Sequence, residues 1–317
     1  MKKKEIIFRL LNQRTQQMIL YTTFSYYAYM FEGYLKKSDS NLEKIQSVLV
    51  AIGGNEDKEK GLNILKHTVF LTNKKEPYIE LITTASSMPK ESGASYIAAF
   101  EKIGVKNVKI IDIRTREQTK NPEYVERLKK ADVIFFTGGD QLKITSILGG
   151  TPVLETIKSR YFNENCIIAG TSAGASAMSE TMIYEGESSE ALCKGKVQLT
   201  SGIGLVKNVV IDSHFIQRGR FSRLMDIVTT NPGNIGLGLG EDTGVVIRQG
   251  YLLESIGNGL VVIFDGQHIK YTNIFNIQIG EAIAVENVCV HTLVKGHGYD
   301  MLTRKYITPS ETGGCEH

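Results

Sequence analysis

The string Gly170-Thr171-Ser172-Ala173-Gly174-Ala175 has the residue types of a nucleophile elbow. It follows the apolar run Cys166-Ile167-Ile168-Ala169 and opens an Ala/Ser-rich segment, which is the strand-turn-helix context that a G-x-S-x-G pattern requires. The neighbours must be small, because a serine on a tight, strained turn leaves no room for bulk beside strand and helix. In that setting the backbone N–H of Ala173 points where an oxyanion would form, at the positive end of the new helix. Gly, Ser and Ala are common, so the pentapeptide alone is as readily a glycine-rich helix entry; its flanks favour chemistry.

A serine hydroxyl is a weak nucleophile until a base takes its proton. Of the six histidines, His67 falls inside an expected helix, His268, His291 and His297 lie in a strand-rich tail, and His317 is terminal. His214 instead ends the apolar run Asn208 to Ser213, at a strand's carboxyl edge where loops converge on a site. It is the favoured base. An acid must orient the imidazole. Glu180, Glu185, Glu187 and Glu190 lie between serine and histidine, and spacing does not choose among them.

Thr137-Gly138-Gly139-Asp140-Gln141 closes another buried strand, so it is expected beside the elbow, with Gly138 or Gly139 as second oxyanion donor and Gln141 in reach of substrate. Neither a G-x-G-x-x-G nor a Walker pattern is present, which argues against a phosphate loop. Gly53-Gly54 reads as a structural turn. Arg218, Arg220 and Arg223 follow His214 closely, and three guanidinium groups beside a base suggest a grip on carboxylates as well as a solvated basic helix.

These residues need a frame. From Gln46 onward, short apolar runs alternate with helical stretches, the rhythm of a parallel α/β sheet. Strands are expected over 47–52, 78–83, 105–113, 132–137, 166–169 and 208–212. Helices are expected over 60–71, 91–103, 122–130, 141–160 and 219–230. The section 236–264 reads as antiparallel strands with glycine turns at Arg248-Gln249-Gly250 and Asn258-Gly259. The histidine comes only forty-two positions after the serine, too soon for an α/β-hydrolase.

Apolar residues at 42% and charged residues at 22% mark an ordinary globular chain of 317 residues and exclude disordered and collagen-like classes. A net charge of +3, with no aromatic platform near the basic residues, gives no reason to expect nucleic acid. Cys166, Cys193, Cys289 and Cys315 form no C-x-x-C pair and no zinc-like spacing, so neither metal nor cofactor is expected, and Cys166 reads as a core residue. Residues 1–40 carry seven basic side chains against three acidic ones. Met18 to Phe31 lacks a clean aliphatic h-region, so residues 1–45 read as an appendage of unknown role ahead of a catalytic domain over 46–317, with a cytoplasmic location expected over secretion. No segment is long and apolar enough to insert in a membrane.

Four strings in order, Gly53-Gly54-x-Glu56-Asp57-Lys58, Thr137 to Gln141, Gly170 to Ala175 and Asp212-Ser213-His214-Phe215 with Arg218-Gly219-Arg220-x-x-Arg223, resemble the cyanophycinases. Those enzymes belong to a serine peptidase family that also contains the α-aspartyl dipeptidase called peptidase E. The resemblance covers about residues 46–310. It implies a flavodoxin-like sheet between helices, as in the class I glutamine amidotransferases, and a Ser-His-Glu triad in which Ser172, His214 and Glu190 match. It also implies substrate contacts at Gln141, Asp212, Ser213, Arg218, Arg220 and Arg223, and release of β-aspartyl-arginine from the arginine-decorated polyaspartate called cyanophycin. Where cyanophycinases commonly carry glutamine before the histidine, this chain has Ser213. A homodimer is the expected assembly. The alternatives are a peptidase E-like dipeptidase and a catalytically silent binder of acidic peptides; an amidotransferase would carry cysteine in place of Ser172.

Overall fold

The computed structural model describes residues 47–186 and 192–309. The expected appendage 1–45, Glu187, Glu190 and Cys315 lie outside the described residues. In chain order the first half contains β1 (Val48–Ile52), α1 (Asn63–Phe70), β2 (Ile79–Ile82), α2 (Pro89–Lys102), β3 (Val108–Ile111), α3 (Pro122–Leu128), β4 (Val133–Phe136), α4 (Gln141–Leu148), α5 (Pro152–Asn163), β5 (Ile167–Thr171) and the single turn α6 (Ala173–Ser176). Then come β6 (Thr181–Glu185), β7 (Gln198–Ser201), β8 (Val209–Asp212), α7 (Phe221–Thr230), β9 (Ile235–Leu239), β10 (Thr243–Arg248), β11 (Leu252–Gly257), β12 (Val261–Asp265), β13 (Tyr271–Thr272), β14 (Val285–Glu286), β15 (Cys289–Leu293), β16 (Gly298–Asp300) and β17 (Lys305–Ile307).

Nine strands form one sheet in the order β17-β16-β11-β10-β1-β5-β4-β2-β3. The strands β1, β5, β4, β2 and β3 from the first half of the chain are parallel, and strands from the second half join antiparallel along the other edge of β1. This is the expected sheet flanked by helices with a strand-rich C-terminal part. The central parallel strands β1, β5 and β4 are buried on both faces, which is why they read as largely apolar runs. Alternate residues of β1 divide between two cores. Val50 and Ile52 meet Leu65 of α1 and Tyr96, Ala99 and Phe100 of α2, while Leu49 and Ala51 face Ile144, Leu148, Ile157 and Tyr161 of α4 and α5. Full burial of each Val, Leu, Ile or Phe among them contributes about 1.5–3 kcal/mol.

The second sheet, β15-β12-β9-β8, covers the α4–α5 side with Ile211, Leu237, Leu239, Val261 and Ile263, and turns Val210, Val262 and Phe264 toward Leu224, Ile227 and Val228 of α7.

Two expectations need correction. The helix read over 141–160 is two helices. Gly149 and Gly150 are poor helix formers, and Thr151 starts afresh as an N-cap whose hydroxyl accepts from Leu154 N, with Pro152 in the first turn. The turn at Asn258-Gly259 does not close a hairpin, because β11 lies in the nine-stranded sheet and β12 in the four-stranded one. By contrast, Gln249 to Tyr251 closes the expected β10–β11 hairpin, with Arg248 paired to Leu252.

Candidate active site

The C-terminal end of β1 gathers three distant segments. Its successive carbonyls Ile52, Gly53 and Gly54 accept from the backbone N–H groups of Ser172 (2.9 Å), His214 (2.8 Å) and Asp242 (3.0 Å). Strand registry prepares this arrangement, because Ile52 is paired with Thr171 on one side and Gly244 on the other. The elbow, the start of the loop after β8 and the β9–β10 turn therefore meet above one strand end, where ligands of open α/β sheets bind.

Ser172 has φ 52° and ψ −114°, and His214 has φ 49°. Positive φ at a non-glycine residue costs about 1–3 kcal/mol, sustained here by the hydrogen bonds to β1. The strain aims the two side chains at each other. Ser172 Oγ lies 2.9 Å from His214 Nε2, and His214 Nδ1 lies 2.7 Å from Glu241 Oε1. A carboxylate at Nδ1 keeps the proton there, which leaves the Nε2 lone pair to accept from the serine hydroxyl. The imidazole rests against Gly54, where φ is +102° and an added Cβ would stand 2.3 Å from Cε1 of the ring. Gly54, read from sequence as a structural turn, is the floor of the imidazole site.

Glu241 is held from several sides. Asn55 Nδ2 donates to Oε2 at 2.9 Å, and Gln217 Oε1 accepts from the Glu241 backbone N–H at 3.0 Å. The hydrogen bond from His214, then that from Asn55, keep its carboxyl below the usual carboxylate range. The group is thus ionised throughout the ordinary range and loses its charge only as pH falls through the lowered value.

On the other side of the serine, an added Cβ at Gly138 would come 3.3 Å from Ser172 Cβ, so the two strand-end turns are neighbours as expected. Gly139, at φ +140°, lies so close to the Ala85 carbonyl that a Cβ would meet it at 2.1 Å. Ala173 is the first residue of α6. A cavity of about 300 Å³ opens beside Ser172, lined also by Gly138, Thr171, Glu56, Lys58 and Tyr96.

The expected binding residues divide. Gln141 begins α4 and donates through Nε2 to Ile183 O at 3.0 Å. Asp212 is buried and meets Arg220 Nη1 at 2.9 Å and Arg223 Nε at 3.2 Å. Arg220 also donates to Ser213 O at 2.8 Å, and Arg223 to Gly186 O at 3.2 Å. Burial pushes the Asp212 carboxyl up, opposed by Arg223 and Arg220. Arg218 is exposed, and its charge acts on both Glu241 and Asp212. Cys166 is buried and its thiol is pushed up to about 12, as suits a core residue.

Glu241 lies beyond the histidine, outside the interval that holds Glu180, Glu185, Glu187 and Glu190. The rule that selected His214, a polar residue just past a buried strand, also selects Glu241 after Ile235–Leu239.

A profile of peptidase family S51 matches residues 48–254. A cyanophycinase of Geminocystis herdmanii is 35% identical over 261 residues, covering 82% of this chain and 96% of its own. One of a Nostoc species is 36% identical over 259 residues, covering 82% and 87%. Among solved structures, a peptidase from an acI-B1 Actinobacterium superposes with a TM-score of 0.59 at 22% identity, over 80% of this chain and 96% of that one, a likeness of fold.

Proposed function

As this chain belongs to peptidase family S51, we propose that it is a cyanophycin hydrolase whose catalytic triad is Ser172, His214 and Glu241. The observation that carries the reading is the unbroken hydrogen-bond chain from Ser172 Oγ through both imidazole nitrogens to Glu241.

His214 Nε2 takes the hydroxyl proton as Ser172 Oγ attacks a backbone carbonyl of the polymer, and Glu241 stabilises the imidazolium. Ala173 N–H with the Gly138-Gly139 turn receives the oxyanion. His214 returns the proton to the departing amine, and water then cleaves the acyl-enzyme by the same path, releasing β-aspartyl-arginine. No metal or cofactor has a part in these steps. Arg218, exposed near the triad, is assigned to substrate carboxylates with Gln141, while Asp212, Arg220 and Arg223 hold the segment around His214. Ser213 lends its carbonyl to that brace.

Incubation with cyanophycin and with Asp-X dipeptides, followed by mass analysis, tests the reading. Release of β-aspartyl-arginine from the polymer is expected; cleavage of the dipeptides alone would replace it with a peptidase E-like activity. A cytoplasmic homodimer completes the proposal, tested by sedimentation and cell fractionation. Among the described residues no helix is long and apolar enough to cross a membrane.

A further inference from the structure

The cavity beside Ser172 contains charges that the triad does not use. Its lining residues include Glu56, whose side chain is fully buried, and Lys58, whose side chain is 24% exposed. Glu56 is already engaged. Its Oε2 accepts from Thr171 Oγ1 at 2.6 Å, next to the nucleophile, and its Oε1 accepts from Tyr96 OH. Lys58 differs. Its Nζ stands 3.5 Å from Glu56 Oε1, 3.4 Å from Glu56 O and 5.0 Å from the Tyr96 ring centre. An ammonium has three donors, and a charge-assisted bond to a carboxylate closes to about 2.7–2.9 Å, so these long contacts hold the group in place without saturating it. Lys58 is the one cation among the residues lining the cavity, and Ser92 and Ser95 of α2 add neutral hydroxyls to its rim. A volume of about 300 Å³ is at the small end for ligand sites, fit for one amino-acid-sized group.

We propose that Lys58 and this cavity form a carboxylate-binding subsite adjoining the nucleophile, which takes the free α-carboxylate of an arginine side group next to the scissile bond. The proposal rests on the reading of the substrate given above. In a polymer whose arginines are joined through their α-amines to β-carboxyls, every unit displays such a carboxylate. A single cation at the edge of a small cavity matches that spacing of one negative charge per unit. Lys58 is a specificity-determining residue; it takes no part in proton transfer.

The test compares a β-aspartyl-arginine oligomer with the same oligomer in which the arginine carboxylates are amides. Binding to the S172A protein is measured by calorimetry and turnover on the active protein. Wild type should prefer the acid form, and in Lys58→Gln that preference should fall about tenfold, the worth of one charge-assisted hydrogen bond. The loss should appear in KM with kcat little changed, and Lys58→Arg should restore most of it. Equal losses toward both oligomers, or an unchanged preference, would overturn the proposal. If Lys58→Gln proves unstable by its melting temperature, the S172A protein with Lys58 intact still decides, since indifference to amidation there excludes the site. Absence of polymer cleavage with a retained, Lys58-dependent preference would instead remove the hydrolytic reading and leave the subsite standing.

Discussion

Two carboxylates flank His214, and the protein treats them in opposite ways. Glu241, with 28% of its side chain exposed, meets one imidazole ring that passes its influence on to a hydroxyl. Asp212, 2% exposed, is enclosed by two guanidinium groups. The first arrangement is a line with a reactive end; the second is a closed knot. Burial explains the difference. A carboxylate without water needs opposite charge around it, whereas one at the rim can remain ionised on two hydrogen bonds and lend its field to a neighbour. The knot is not fully satisfied either, since Asp212 Oδ2 and the Nε atoms of Arg220 and Arg223 are buried without well-aligned hydrogen bonds.

Removing the reactive end should have the largest effect. Ser172→Ala is expected to lower kcat/KM on cyanophycin by about 10⁴-fold or more with an unchanged melting temperature. The knot should break differently. Asp212→Ala leaves two guanidinium groups facing each other with no anion, and should cost about 3 kcal/mol of stability, read by urea denaturation. An unchanged midpoint would show that Asp212 is no brace. Glu241→Gln keeps the shape but releases the tautomer, and should lower kcat by up to about 10⁴-fold with little change in stability. Should Glu241→Gln lower the melting temperature as much as Asp212→Ala, the two carboxylates would differ only in exposure. The smallest effect is expected for Glu190→Ala, within about twofold in kcat/KM. A larger loss would return the acid role to the residue that family resemblance matched.

The strand ends that carry the site are legible in the sequence, whereas the contrast between the two carboxylates is not, and for a physical reason. Strand ends are visible locally, because a buried run followed by small or polar residues marks a carboxyl edge; that signal singles out Ser172, Gly138 and His214, which lie side by side. What the sequence hides is which edges become neighbours. Glu241 reaches the imidazole because β10 pairs antiparallel with β1, a long-range choice with no local signature. The same limit applies to the arginines. Their spacing reveals a cluster but not that Asp212 absorbs two of them. Gly54 was visible as a turn, yet only the approach of the imidazole makes a side chain intolerable there. The helix break at Gly149-Gly150 is legible, since glycines followed by a Thr-Pro cap are a local stop and start.

The three carbonyls at the tip of β1 also set a timetable. The acid-bearing turn is the last of the three segments to leave the ribosome, and the strand that fixes it beside β1 follows immediately. A growing chain can display the serine and even the imidazole while still lacking the group that orients them. Hydrolytic competence is thereby deferred until most of the domain has emerged, and a chain broken off early carries a nucleophile that is present but unarmed.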